Sequence, residues 1–306
     1  MIRITRHLAA TLLPILCLPL QAGEEAVWHT DFAAAEKKAA KENKDLLIHF
    51  AGSDWCGWSM KLGKEVFHQA AFSEKASKEY ILVRLDFPRR KALAPELVQQ
   101  NAVLKKKYNV TSHPTVILCD PAGRPYARIG YKAGGPEKYL THLEKLKTRK
   151  AERDTAFALA EGLEGKEKAR ALEKALASVP RTSLSYYEQE IATVHAADPD
   201  DVSGFYNRYL IQKTALELRR IAMPLTIKGK HQELIQEVEK YILEHKLEGE
   251  ALQTAMLFKL TSHYLSKNQA ATLKCADEII AINDINTPGR YAAMFKKRIK
   301  NRSIKK

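Results

Sequence analysis

Residues 46–67, LLIHFAGSDWCGWSMKLGKEVF, constrain the fold of this chain more than any other stretch. Leu46 to Phe50 is an apolar run of the length of a short buried strand, and Ala51-Gly52-Ser53-Asp54 turns the chain. Trp55-Cys56-Gly57-Trp58-Ser59 then opens a helix whose apolar positions continue through Met60, Leu62 and Val66. This layout sets a cysteine at a helix N-terminus. The free N–H groups and the positive end of the helix dipole there favour thiolate over thiol, and the thiolate is the reactive form.

The surrounding pattern alternates between helix and strand from Trp28 to about Arg149. Phe32–Lys44 reads as a lysine- and alanine-rich helix, Phe72–Glu79 as a further helical turn or two, Ile81–Asp86 as a strand and Ala94–Tyr108 as a helix. Thr115–Cys119 and Ala127–Tyr131 read as strands separated by the turn signal Pro121-Ala122-Gly123, and Pro136–Leu146 as a closing helix. Pattern alone specifies an α/β domain with a small sheet.

Trp55-Cys56-Gly57-Trp58-Ser59 after a strand resembles the active-site motif of the thioredoxin superfamily, in its extracytoplasmic branch with W-C-x-W-C. A second anchor is His113-Pro114 just before the third strand. The family carries a cis-proline there, beside the reactive sulfur, and X-Pro bonds are those that tolerate cis. The resemblance covers about residues 26–148 and implies a thioredoxin fold, a small mixed sheet flanked by helices. It further implies Cys56 as nucleophile, Pro114 and His113 shaping a substrate groove, and Trp55, Gly57 and Trp58 supporting it. One position departs: where the family has its resolving cysteine, this chain has Ser59, so the motif is C-x-x-S.

That departure limits the chemistry. A dithiol reductase releases its mixed disulfide with a second cysteine, and Ser59 cannot do so. Ser59 is instead a candidate hydrogen-bond donor to the Cys56 thiolate. Cys119 lies five residues beyond Pro114 along an extended strand, about 16 Å at about 3.3 Å per residue. A disulfide needs Cα atoms within about 7 Å, so Cys119 is not the resolving thiol without rearrangement. Cys119 and Cys275, in apolar runs, read as buried small hydrophobes.

Two histidines border the motif. With a loop one residue longer than in common thioredoxins, His49 falls where the family has a buried acid that assists proton transfer; it reads equally as a strand histidine turned to solvent or satisfied in the sheet. His113 is expected to face Cys56, where an imidazolium would hold the sulfur as thiolate. Cys56 and His113 alone are too few soft ligands for a metal site, and no cofactor is expected.

The basic start MIRITRH, the apolar run Leu8–Leu20 and Leu-Gln-Ala-Gly read as a signal peptide over residues 1–22, with cleavage after Ala22. The run is too short, and too interrupted by Pro14 and Pro19, to span a bilayer, and no other stretch approaches a transmembrane helix. Leu16, bulky before Cys17, argues against a lipid anchor there. Export to a periplasm or beyond follows, and with it nucleic acid is excluded as a partner despite the net charge of +14. Most lysines alternate with acids on amphipathic faces; the exception is the basic tail from Lys297 to Lys306. Three cysteines remain after the leader, an odd number that leaves at least one thiol unpaired in a monomer.

Beyond Lys150 the composition shifts to alanine, leucine, lysine and glutamate without strand alternation. Gly165–Leu176, His231–Leu243, Ala251–Leu265 and Ala270–Ile282 have helical spacing and read as antiparallel helical hairpins of tetratricopeptide-like architecture. The expected organisation is a leader (1–22), a thioredoxin-like domain (23–150) and an all-α domain with a basic tail (151–306). The reading that follows is monothiol thiol–disulfide exchange or isomerisation through Cys56, on a protein client or a small thiol. The alternative is a redox-inactive thioredoxin-fold scaffold whose helical domain holds a protein partner.

Overall fold

The computed structural model describes residues 28–304. The expected leader, with Cys17 and Ala22, lies outside the described residues, as do Lys305 and Lys306. The chain divides into two units, residues 1–123 with 127–145, and residues 124–126 with 146–306.

In the first unit, α1 (Phe32–Glu42) is capped by Asp31, whose side chain accepts the Ala34 N–H at 3.0 Å, and ends at Asn43 in the left-handed region. It buries Phe32, Ala35 and Ala39, spaced to share one face. β1 (Asp45–Ala51) is buried at all seven positions, which is why it reads as a continuous apolar run rather than an alternating one. It pairs parallel with β2 (Tyr80–Asp86), Leu47 opposite Leu82, and antiparallel with β3 (Thr115–Cys119), Leu47 opposite Leu118. β4 (Pro125–Ile129) completes a four-stranded mixed sheet in the order β2-β1-β3-β4. Gly123, at φ +78°, closes the β3–β4 turn and donates its N–H to Asp120 O at 2.8 Å.

Helices complete the layers: α2 (Gly57–Leu62), α3 (Ala70–Glu79) and α4 (Pro95–Lys107). The motif helix does not run unbroken to Val66 as its spacing predicts. After Leu62 it widens into a π-helical turn, Gly63–Phe67, with the His68 N–H bonded to Gly63 O, and so buries Val66 and Phe67 together. The expected closing helix also differs. α5 runs from Gly135 to Glu161 because nothing between Lys147 and Glu161 breaks a helix until Gly162.

The second unit is all helical: α6 (Gly165–Ala177), a 3-10 segment Arg181–Tyr186, α7 (Glu188–Ala197), α8 (Phe205–Ile227), α9 (His231–His245), α10 (Gly249–Leu265), α11 (Gln269–Ile282) and α12 (Thr287–Ile304). Successive helices pack on one another around three apolar clusters, centred on Leu176 and Tyr187, on Leu218 and Val238, and on Leu260 and Ile279. α8 is absent from the sequence-based expectation. Pro224 sits in its last turns, and its start is held by Asp201, whose carboxylate accepts the N–H groups of Tyr206 and Asn207. Most of the basic tail is likewise helical, as the end of α12.

Candidate active site

Cys56 is the N-cap residue of α2, half-buried and in extended conformation (φ −91°, ψ 107°). Its N–H donates to Gly52 O at 3.0 Å, which closes the turn, and its Sγ donates to the carbonyl oxygen of His113 at 3.2 Å. The His113–Pro114 peptide is cis. Cys56 and the proline loop, 57 residues apart in sequence, are thus brought together at one end of the sheet.

Ser59 does not meet the sulfur. It is 3% exposed, and its Oγ accepts the Gly52 N–H at 3.2 Å. The expected Ser59–Cys56 hydrogen bond is replaced by one that ties the first turn of α2 to the loop before it, because the buried Gly52 N–H requires an acceptor. Gly52 itself is constrained: a Cβ there would lie 2.7 Å from the Trp55 ring and 3.0 Å from Cys56 Cβ. At Gly57, by contrast, a Cβ would meet nothing within 4 Å.

The rest of the turn is fastened to the end of β2. The Ser53 N–H donates to Asp86 at 3.0 Å and its hydroxyl at 2.5 Å. The Asp54 carboxylate accepts the backbone N–H groups of Arg89, Arg90 and Lys91 at 2.9, 2.7 and 3.2 Å. Those three donors, Arg89 foremost, hold Asp54 below the usual carboxylate range. Trp55 Nε1 donates to Phe87 O at 2.7 Å. Sequence reasoning passed over Asp54, Asp86, Phe87 and Arg89; their only local signal is that Asp54 directly precedes the Trp-Cys pair.

His113 lies between Trp55 and Phe87, with ring centroids 5.6 and 5.1 Å away. Desolvation, helped by Lys105 and opposed by Asp86, holds its pKa below the ordinary 6.5. At neutral pH the imidazole is therefore neutral, and the expected imidazolium is not available to Cys56. What His113 offers the sulfur is its backbone carbonyl.

His49 is neither turned to solvent nor satisfied. It is 3% exposed, packs against Phe67 and Trp28 at 4.9 and 6.1 Å, and neither ring nitrogen has a hydrogen-bond partner among the described residues. Burial, followed by the charges of Arg84, His113 and His68, drives its pKa down to about 3. A ring so weakly basic is poorly suited to take a proton near neutral pH.

On the other flank Trp58 is 58% exposed, tilted against Tyr131 at 5.2 Å. Lys61 Nζ lies 5.5 and 5.1 Å from the two ring centroids, and Tyr131 OH donates to Glu65 at 2.6 Å. The other described thiols are buried. Cys119 is wholly enclosed on β3 with its pKa raised by desolvation, and burial pushes that of Cys275 up to about 12. Among the described residues no group of three or more His, Cys, Asp or Glu side chains is placed to hold a metal ion.

Comparison with known proteins bears on this arrangement. The family model for thioredoxin-like domains matches residues 32–147. The disulfide bond reductase DsbH of Chlamydia pneumoniae is 31% identical over 113 residues, spanning 37% of this chain and 68% of that protein. The thioredoxin-related protein DsbJ of Chlamydia pneumoniae is 35% identical over 127 residues, 40% of this chain but only 36% of that protein. A solved DsbH oxidoreductase aligns with 27% identity over 46% of this chain and 94% of its own, at a TM-score of 0.39. With a matching domain model, and with a relative of which it covers more than two thirds, the chain belongs to the thioredoxin-like family.

Proposed function

We propose that this is an exported monothiol thiol–disulfide exchange protein that works through Cys56. The observation that carries the reading is the placement of one half-buried cysteine at the N-cap of α2 against the His113–Pro114 loop, while Cys119 and Cys275 are buried. In the first step the Cys56 thiolate attacks one sulfur of a client disulfide. A Cys56–client S–S bond forms, the client S–S bond breaks, and the other client sulfur leaves as thiolate with the electron pair. In the second step an external thiolate, from the client or a small thiol, attacks the mixed disulfide and restores Cys56. No net electrons pass when the same client supplies both sulfurs, which is isomerisation.

The names of the relatives, a disulfide bond reductase and a thioredoxin-related protein, agree with thiol–disulfide chemistry. A reductase that closes its own disulfide would need a second thiol at the position held by Ser59, so the resolving thiol comes from outside. Cys56 donates to the His113 carbonyl only as a thiol, so ionisation frees the sulfur from that contact. Export rests on the leader-like residues 1–22. The working division is residues 1–22 as leader, 23–150 as the exchange domain and 151–306 as a helical domain.

The test is alkylation and trapping. Purified protein should take up iodoacetamide at one fast-reacting thiol that Cys56→Ala lacks, and should form mixed disulfides with small disulfides that excess thiol reverses. Absence of both would transfer the function to the scaffold reading and to the helical domain.

A further inference from the structure

Beside Cys56 the molecule carries a strip of aromatic rings with a cation at each end. The Arg89 guanidinium lies 3.9 Å from the Trp55 ring centroid, Trp55 touches His113, His113 touches Phe87, and Lys105 Nζ lies 5.0 Å from the Phe87 ring. The same His113 supplies the carbonyl 3.2 Å from Cys56 Sγ, so the strip borders the reacting sulfur. Arg90 and Lys91 follow Arg89 on the exposed loop that Asp54 fastens to the motif.

The carboxylates of this region are already committed. Asp54 takes three backbone N–H groups, and Asp86 takes Ser53 and the Phe87 N–H. Among the described residues none of Arg89, Arg90, Lys91 or Lys105 makes an ion pair, unlike Lys61 on the opposite flank, which meets Glu65 at 3.8 Å. The positive charge is also positioned: Arg89 is held over a ring whose own N–H is fixed to Phe87 O. Unpaired, oriented cations beside a reactive sulfur attract anionic partners and speed their arrival.

We infer that the client of Cys56 is an acidic peptide segment, one that presents a carboxylate next to its disulfide cysteine to Arg89 and Lys105. This rests on the exchange reading and names its substrate class. An acidic flank would lie along the Trp55–His113–Phe87 strip while the client sulfur meets Cys56. The attack itself is unchanged: Cys56 Sγ bonds to the peptide sulfur and the leaving thiolate takes the electron pair.

The experiment uses the full chain and three peptides, Gly-X-Cys-X-Gly with X as Asp, Ser or Lys, each as a mixed disulfide with thionitrobenzoate. Release of the coloured thionitrobenzoate thiolate gives a second-order rate. At low ionic strength the Asp peptide should outpace the Lys peptide by about tenfold or more, and about 1 M salt should shrink that ratio to about twofold, as screening requires. The double variant Arg89→Glu/Lys105→Glu should reverse the ratio. Arg170→Glu, combined with Lys174→Glu to match the charge change at exposed positions of α6, should leave the ratio near that of the wild type. A ratio unmoved by the double variant, or moved as much by the matched Arg170→Glu/Lys174→Glu control, overturns the acidic-client inference and leaves exchange through Cys56 standing. Release no faster than with Cys56→Ala for every peptide overturns the exchange reading, and the inference with it.

Discussion

Ser59 Oγ accepts the Gly52 N–H at 3.2 Å, reaching seven residues back across the turn that presents Cys56. The residue that replaces a resolving cysteine thus has a structural task of its own. It holds the entry to α2 closed, while the Cys56 N–H bonded to Gly52 O closes the same turn from the other side.

Ser59→Ala leaves the Gly52 N–H buried without an acceptor, and should cost about 1–3 kcal/mol in the first unit. Urea unfolding followed by tryptophan fluorescence measures it, since Trp28, Trp55 and Trp58 all lie in that unit. Ser59→Cys should instead restore the dithiol motif. After mild oxidation and denaturation it should titrate two fewer thiols than its reduced form, and it should reduce insulin disulfides with a dithiol donor faster than the wild type. Equal thiol counts before and after oxidation would show that the turn cannot close a disulfide.

His49 makes the first unit acid-sensitive in a defined window. Its pKa is about 3 in the folded chain against about 6.5 unfolded, so the unfolded state binds the extra proton. The neutral-His49 fold keeps its full stability above pH 6.5 and loses it progressively as pH falls from there toward 3, by about 2 kcal/mol at pH 5. His113 and His68, also lowered, pull in the same direction, so the readout is a difference between proteins. His49→Leu removes two unpartnered ring nitrogens from an apolar setting. It should match or exceed the wild type at pH 7 and lose less stability between pH 7 and pH 5. Identical pH profiles in urea unfolding would contradict the burial of an unpartnered imidazole.

How far the sequence reveals all this depends on the range of each interaction. β1 is legible because its seven residues are buried on both faces, and Cys56 and Pro114 because each stands beside a strand that apolar runs announce. The face of α9 was legible from spacing: of Leu234, Ile235, Val238, Tyr241 and Ile242, which share a side by their period, the first four are buried and Ile242 is half-buried. The partners of the turn were not. Asp54 finds its donors 35 to 37 residues on, and Tyr131 reaches Glu65 across 66 residues, distances at which no local pattern operates. The neutral state of His113 likewise arises from burial between Trp55 and Phe87, which motif spacing does not encode. α8 was hidden because Pro224 and the N-cap Gly204 punctuate a stretch whose first N–H groups are taken by Asp201, three residues before that cap.

Asp54 is the clasp between the motif and the Arg89–Lys91 loop. Asp54→Ala should release three backbone N–H groups at once and leave the sheet intact. Hydrogen exchange of the Arg89, Arg90 and Lys91 amides should then quicken by about tenfold or more, while the Leu47 and Leu82 amides keep their protection. Exchange of the loop unchanged from the wild type would mean that the Asp54 carboxylate is not what holds it.

Gly52 tests whether the shape of the turn sets the reactivity of the sulfur. A methyl group at this position meets the Trp55 ring at 2.7 and 2.9 Å and Cys56 Cβ at 3.0 Å, all closer than carbon atoms approach without displacement. Trp55 is pinned by its N–H to Phe87 O and covered by Arg89, so it cannot yield without breaking those contacts. Gly52→Ala should therefore move Trp55 and Cys56 together. The expected result is a changed Trp55 emission spectrum, read in a Trp28→Phe/Trp58→Phe background, and at least a several-fold change in the Cys56 alkylation rate. In the same background Gly57→Ala, where a methyl group meets nothing within 4 Å, should leave both near the parent. If the two substitutions behave alike, the close approach at Gly52 does not control the sulfur.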